Sequence, residues 1–143
     1  MIFLATGIRG NGLDALEGCA PDMRYSFYIS GAAEVSGASS VSNGAGTIVS
    51  CDIKDAARVR QRLKTVDGES VTFGGSASDL NIIVKKFSAD IIRREDIGGI
   101  LIYYCFSPAL GNGLNLDGAE INMQLAYSNG RVTAGTPLIL GSY

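Results

Sequence analysis

Ile121-Asn122-Met123-Gln124-Leu125-Ala126-Tyr127-Ser128-Asn129-Gly130-Arg131-Val132-Thr133-Ala134 carries the clearest structural signal in this 143-residue chain. Ile121, Met123, Leu125 and Tyr127 alternate with Asn122, Gln124, Ala126 and Ser128, the period of two that gives a strand one apolar and one wet face. Asn129-Gly130 is the strongest short hairpin signal, because a type I′ two-residue turn needs positive φ at both positions. Such a turn pairs Tyr127 with Val132 and Leu125 with Ala134, and both apolar sets then fall on one face. Turn and pattern agree on register, so an antiparallel sheet is predicted.

Upstream, Gly99-Ile100-Leu101-Ile102-Tyr103-Tyr104-Cys105-Phe106 is apolar on both faces, the mark of a central strand covered on both sides. Ala89-Asp90-Ile91-Ile92-Arg93-Arg94 precedes it as a strand, through the acidic turn Glu95-Asp96-Ile97-Gly98. Leu80, Ile83, Val84 and Phe87 recur at helical spacing. Ser76 and Asp79 resemble a capping box before them, and Lys85 and Lys86 suit the negative end of the helix dipole. Ser70-Val71-Thr72-Phe73 is a short strand stopped by Gly74-Gly75. Ile53, Ala56, Val59, Leu63 and Val66 predict a helix over 53–66, with Asp52 as N-cap and Gly68 as its stop. Tyr25-Ser26-Phe27-Tyr28-Ile29 and Thr47-Ile48-Val49-Ser50-Cys51 read as strands. The small residues from Ser36 to Gly46 read as a mobile loop that joins them into a hairpin. Pro137 suits a strand end or edge, and Leu138-Ile139-Leu140 finishes the chain.

The resulting order is β-β-α-β-α-β-β-β-β. Antiparallel strands with two helices packed on one face make the fold class α+β. The lack of β-α alternation and of G-x-G-x-x-G disfavours a doubly wound nucleotide fold. Residues 1–23 form an irregular N-terminal segment and residues 24–143 a single domain. A chain of this size buries roughly 70% of its unfolded surface, so it needs no disulfide or metal to hold a core.

Composition prunes the chemistry. With 46% hydrophobic and 18% charged residues and a net charge of −2, the chain is globular, and it contains no histidine. Ser-His and Cys-His nucleophile pairs, a histidine base and His-rich zinc sites are excluded within it. Cys19, Cys51 and Cys105 form no C-x-x-C. Cys51 and Cys105 lie in apolar strands as small hydrophobes, and Cys19 is the one expected at the surface. Glu95 and Asp96 point to opposite sides of an extended chain, and Asp117 and Glu120 bracket a turn, so neither pair is a catalytic dyad. The glycine loops Gly10-Asn11-Gly12-Leu13 and Gly111-Asn112-Gly113-Leu114 lack the lysine of a phosphate loop and read as turns. No apolar stretch reaches the ~18 residues of a membrane span, and Met1–Ala5 lacks the basic region of a signal peptide. No catalytic residue, cofactor or metal is expected.

Residues 54–94 hold nine of the twelve Lys and Arg against five acids, a net of +4. Lys54, Arg58 and Arg62 recur at i, i+4, i+8, with Arg60 and Lys64 beside them. These five residues are the candidate partner-binding face, suited to a protein or an anionic surface component. The same helix, 53–66, is the candidate contact for a nucleic acid, a reading that the chain's pI of about 5.0 disfavours. A pocket near Tyr103, Tyr104 and Asn122, for a small-molecule ligand or substrate, is a further alternative.

Asp79 to Phe87, Ala89-Asp90-Ile91-Ile92, Tyr103 to Ser107, Ile121 to Ala126 and Gly135-Thr136-Pro137-Leu138-Ile139 resemble the YwmB-like proteins of spore-forming Firmicutes, over residues 70–143. The resemblance implies a TATA-box-binding-protein-like α+β fold without implying DNA binding. It also implies an exported or membrane-anchored protein of unassigned role, and it supplies no catalytic residues. The expectation is a non-catalytic extracytoplasmic interaction module, in sporulation or cell-envelope biology.

Overall fold

The computed structural model describes residues 12–16, 20–42, 44–63 and 65–140. After a 3-10 helix at Gly12–Leu16 come β1 (Arg24–Ser30), β2 (Ser39–Ser42), β3 (Gly46–Asp52), α1 (Ile53–Arg62) and β4 (Gly68–Gly74). Then follow α2 (Asp79–Lys86), β5 (Asp90–Ile97), β6 (Ile100–Phe106), β7 (Leu114–Leu116), β8 (Ala119–Ile121), β9 (Met123–Ser128) and β10 (Arg131–Thr136). Eight strands form one antiparallel sheet in the order β2-β3-β1-β4-β10-β9-β6-β5, and β7 and β8 form a separate hairpin. The fold is α+β.

The β9–β10 hairpin has the register its sequence demands, Tyr127 opposite Val132 and Leu125 opposite Ala134, with Asn129 and Gly130 at φ of 48° and 77°. The period of two propagates from there. Tyr25, Phe27, Val49, Cys51, Val71, Phe73, Tyr103, Cys105, Met123, Leu125, Val132 and Ala134 share one face in one buried cluster. Ala56 and Val59 of α1 and Leu80 and Ile83 of α2 close that cluster, so both helices pack on the same face. Leu13, Leu16 and Met23 are buried there too, so part of the irregular N-terminal segment contributes to the core, while residues 1–11 and 17–19 of it lie outside the described residues.

Several expectations are corrected. The stretch read as a mobile loop contains β2, which pairs with β3 from Ser39 opposite Ser50 to Ser42 opposite Thr47. All four β2 residues are exposed, so no apolar alternation marks the strand. α1 ends at Arg62 instead of Val66, because Leu63 turns extended (φ −91°, ψ 121°) and drops into the core. Asp52 stands at the N-cap without capping: its carboxylate accepts from Arg24 Nη1 at 2.7 Å. The capping box before α2 is half made, with Asp79 Oδ2 accepting the Ser76 N–H at 2.8 Å. β10 stops at Thr136, before a cis Thr136–Pro137 bond. Residues 138–140, which finish the described chain, fold back against Gly135, where Ile139 N–H donates to Gln124 Oε1 at 2.9 Å. The chain can lie this close because Gly135 has no Cβ; one would fall 2.3 Å from the Leu138 carbonyl oxygen.

Candidate interaction surface

Among the described residues the sheet ends at β2 on one side and at β5 on the other. β5 carries Asp90, Arg93, Arg94, Glu95 and Asp96, and its register slips between Ile91 and Arg93. Charge and a bulge are the devices by which sheets prevent edge-to-edge pairing. β2 has neither. From Val35 to Cys51 there is no Asp, Glu, Lys, Arg or Pro. Val41, on the face away from the helices, is 69% exposed. Every second residue of an edge strand directs its N–H and C=O outward, a row that another extended chain can complete.

The ground beside β2 is fixed from below. Arg58 Nη1 donates to the Ser36 carbonyl at 2.6 Å and Nη2 pairs with Asp55 at 3.0 Å, tying the segment before β2 to α1. Ser40 Oγ donates to the Ala33 carbonyl at 3.2 Å, and Ala33, Val35 and Ala38 rest on the core. An open groove of about 500 Å³, lined by Glu34, Val35, Ser36, Ala38 and Ser40, runs alongside. On the opposite face the registers align Ser39, Ser50, Ser26 and Ser70 across β2, β3, β1 and β4. Ser26 and Ser50 share a hydrogen bond of 2.9 Å. This row is invisible in the sequence, where its successive members in β2-to-β4 order are 11 to 44 positions apart and only the strand pairing unites them.

The basic helix is not one exposed face. Arg60 turns inward, pairing with the buried Glu69 of β4 and lying 5.1 Å over the Phe27 ring. Arg58 is engaged by Asp55 and Ser36 as described. Lys54 and Arg62 are exposed, and Lys64 lies outside the described residues. The periodicity of cations marks a helix surface but cannot say that Arg60 has an acid waiting beneath it. Elsewhere Arg24 pairs with Asp52, Arg93 with Glu95 and Asp117, and Arg131 with Asp22. Arginines so neutralised make a poor phosphate-binding field.

Tyr103, Tyr104 and Asn122 do not meet in one cavity. Tyr103 faces the core side, with Arg94 at 5.3 Å over its ring, while Tyr104 faces the other side and its hydroxyl donates to Glu95 at 3.3 Å. The buried Asn122 amide is spent on the backbone: Oδ1 accepts from Ser107 N–H at 2.7 Å, and Nδ2 donates to the carbonyls of Ser107 at 2.8 Å and Gly111 at 3.0 Å. Burial, reinforced by the Asp55 charge, pushes the Cys51 thiol up to about 11, and burial pushes Cys105 up to about 12. Cys19 lies outside the described residues. No helix among the described residues is long and apolar enough to cross a membrane. No family model matches the chain, and no match to it was found among the curated proteins or the solved structures.

Proposed function

We propose that the chain is a non-catalytic interaction module that takes an extended, uncharged strand of a partner protein onto the open side of β2. The observation that carries this reading is the unequal treatment of the two sheet edges: β5 is charged and bulged, β2 is neutral, exposed and anchored from below. An edge of alternating N–H and C=O groups is complementary to extended backbone and to little else. Four residues offer about four outward groups, which corresponds to affinity on the order of 10–1,000 µM. The chemically capable side chains support the non-catalytic part, since Glu69, Glu95 and Asp22 are held by arginines and the thiols of Cys51 and Cys105 are buried and protonated. The resemblance to the YwmB-like proteins supports an extracytoplasmic setting in sporulation or envelope biology.

Selection of linear peptides displayed on phage tests the reading. The expected winners are uncharged segments of alternating pattern with an apolar residue to lie beside Val41. Val41→Lys and Val41→Glu both weaken them, because either charge blunts the edge. Winners that bind both variants as well as the native chain would overturn the proposal, as would a selection that converges on acidic peptides captured by α1.

A further inference from the structure

A second groove, of about 640 Å³, lies where the end of β1 meets the end of α1. That volume is in the range of small-ligand sites, roughly 300–1,000 Å³. Its floor is apolar: Ile29 and Leu63 are 6% and 7% exposed, and Ala33 packs beside them. Among the described residues its rim carries one charge of each sign. Arg62 is exposed and makes no ion pair or hydrogen bond with any described residue. Asp67 is held rigidly, since its N–H donates to the Tyr28 carbonyl at 2.8 Å and its Oδ2 accepts from Ser30 Oγ at 3.0 Å. A carboxylate offers about four lone-pair sites, so Asp67 retains room for a further donor.

Two opposite charges on the rim of an apolar floor, not paired with each other, match a ligand that carries both charges itself. We propose that this groove binds a short peptide-like zwitterion with aliphatic side chains, its carboxylate on Arg62, its ammonium on Asp67 and its side chain on Ile29, Ala33 and Leu63. Among the described residues Arg62 has no partner and the Asp67 carboxylate takes a single hydroxyl donor. The inference is independent of strand docking at β2.

The probe is leucyl-leucine, titrated into the isotopically labelled chain and followed by amide chemical shifts. The expected shifts fall in Ile29–Ala33 and Leu63–Asp67. N-acetyl-leucyl-leucine, which lacks the ammonium, binds about tenfold more weakly, and so does leucyl-leucine amide, which lacks the carboxylate. Arg62→Gln abolishes the preference for the free carboxylate and Asp67→Asn the preference for the free ammonium; Lys85→Gln, on α2, changes neither. Asp67→Asn keeps the shape of the side chain and Arg62 is exposed, so the fold survives both variants. No shifts up to about 10 mM, or shifts that ignore acetylation, amidation and both rim variants, would overturn the assignment.

Discussion

Arg60 and Glu69 meet fork to fork between α1 and β4, Nη1 donating to Oε1 at 2.9 Å and Nη2 to Oε2 at 2.5 Å, with the Glu69 carboxylate wholly removed from solvent. The Leu13 N–H also donates to Glu69 Oε1, at 3.3 Å, so the pair ties the N-terminal segment, the first helix and the sheet together. Removing one partner strands the other. Glu69→Ala and Arg60→Ala are each expected to cost roughly 3–5 kcal/mol, whereas the double replacement Arg60→Met with Glu69→Leu recovers most of the loss. Urea unfolding of the three variants checks this, and a mild Glu69→Ala would contradict it. Arg62→Ala, on the same helix but exposed and without a partner among the described residues, should change stability by less than about 0.5 kcal/mol.

Asn122 is expected to behave as a structural residue. Its amide satisfies three backbone groups of the segment from Ser107 to Gly111. Asn122→Ala leaves those groups buried and unmet, at about 2–4 kcal/mol by chemical denaturation. A near-neutral result would show that the segment finds other partners.

Asp22 makes a pH prediction of definite sign. The Arg131 guanidinium, and then the Gly74 N–H, hold its carboxyl below the ordinary carboxylate value. A carboxyl whose pKa is lowered on folding stabilises the fold above its unfolded pKa and loses that contribution as pH falls through the lower folded value. Carboxyl NMR titration should therefore place the Asp22 midpoint low, and Arg131→Gln should raise it. Asp22→Asn should flatten the acid limb of the stability curve. An Asp22 midpoint that ignores Arg131→Gln would refute the pairing.

The thiols supply a simple count. In a Cys19→Ser variant, neither Cys51 nor Cys105 should react with a disulfide reagent at about pH 8, and both should react once the chain is unfolded. Rapid labelling of the folded protein would show that one of the strands opens.

The legible parts of the fold are those where solvent sits on one side. Tyr127 and Val132 could be paired from the sequence because the turn and the alternation impose the same register. β2 was not legible. Ser39-Ser40-Val41-Ser42 is wet on both faces, so its strand character comes from pairing with β3, a non-local interaction that no short window contains. The candidate site divides the same way. Spacing placed Lys54, Arg58 and Arg62 along one line of a helix, but whether a cation is free depends on the acid opposite it. Glu69 takes Arg60 from nine positions downstream, and nothing in the helix announces that. Arg62 kept its place as a candidate for a different reason, the groove beside it.

The most direct measurement is amide hydrogen exchange of the labelled chain with and without its best selected peptide. Docking at β2 predicts slowed exchange at alternate residues of Ser39–Ser42, with β5 unaffected. Protection on α1 or β5, or no protection within β2 at saturating peptide, would contradict it.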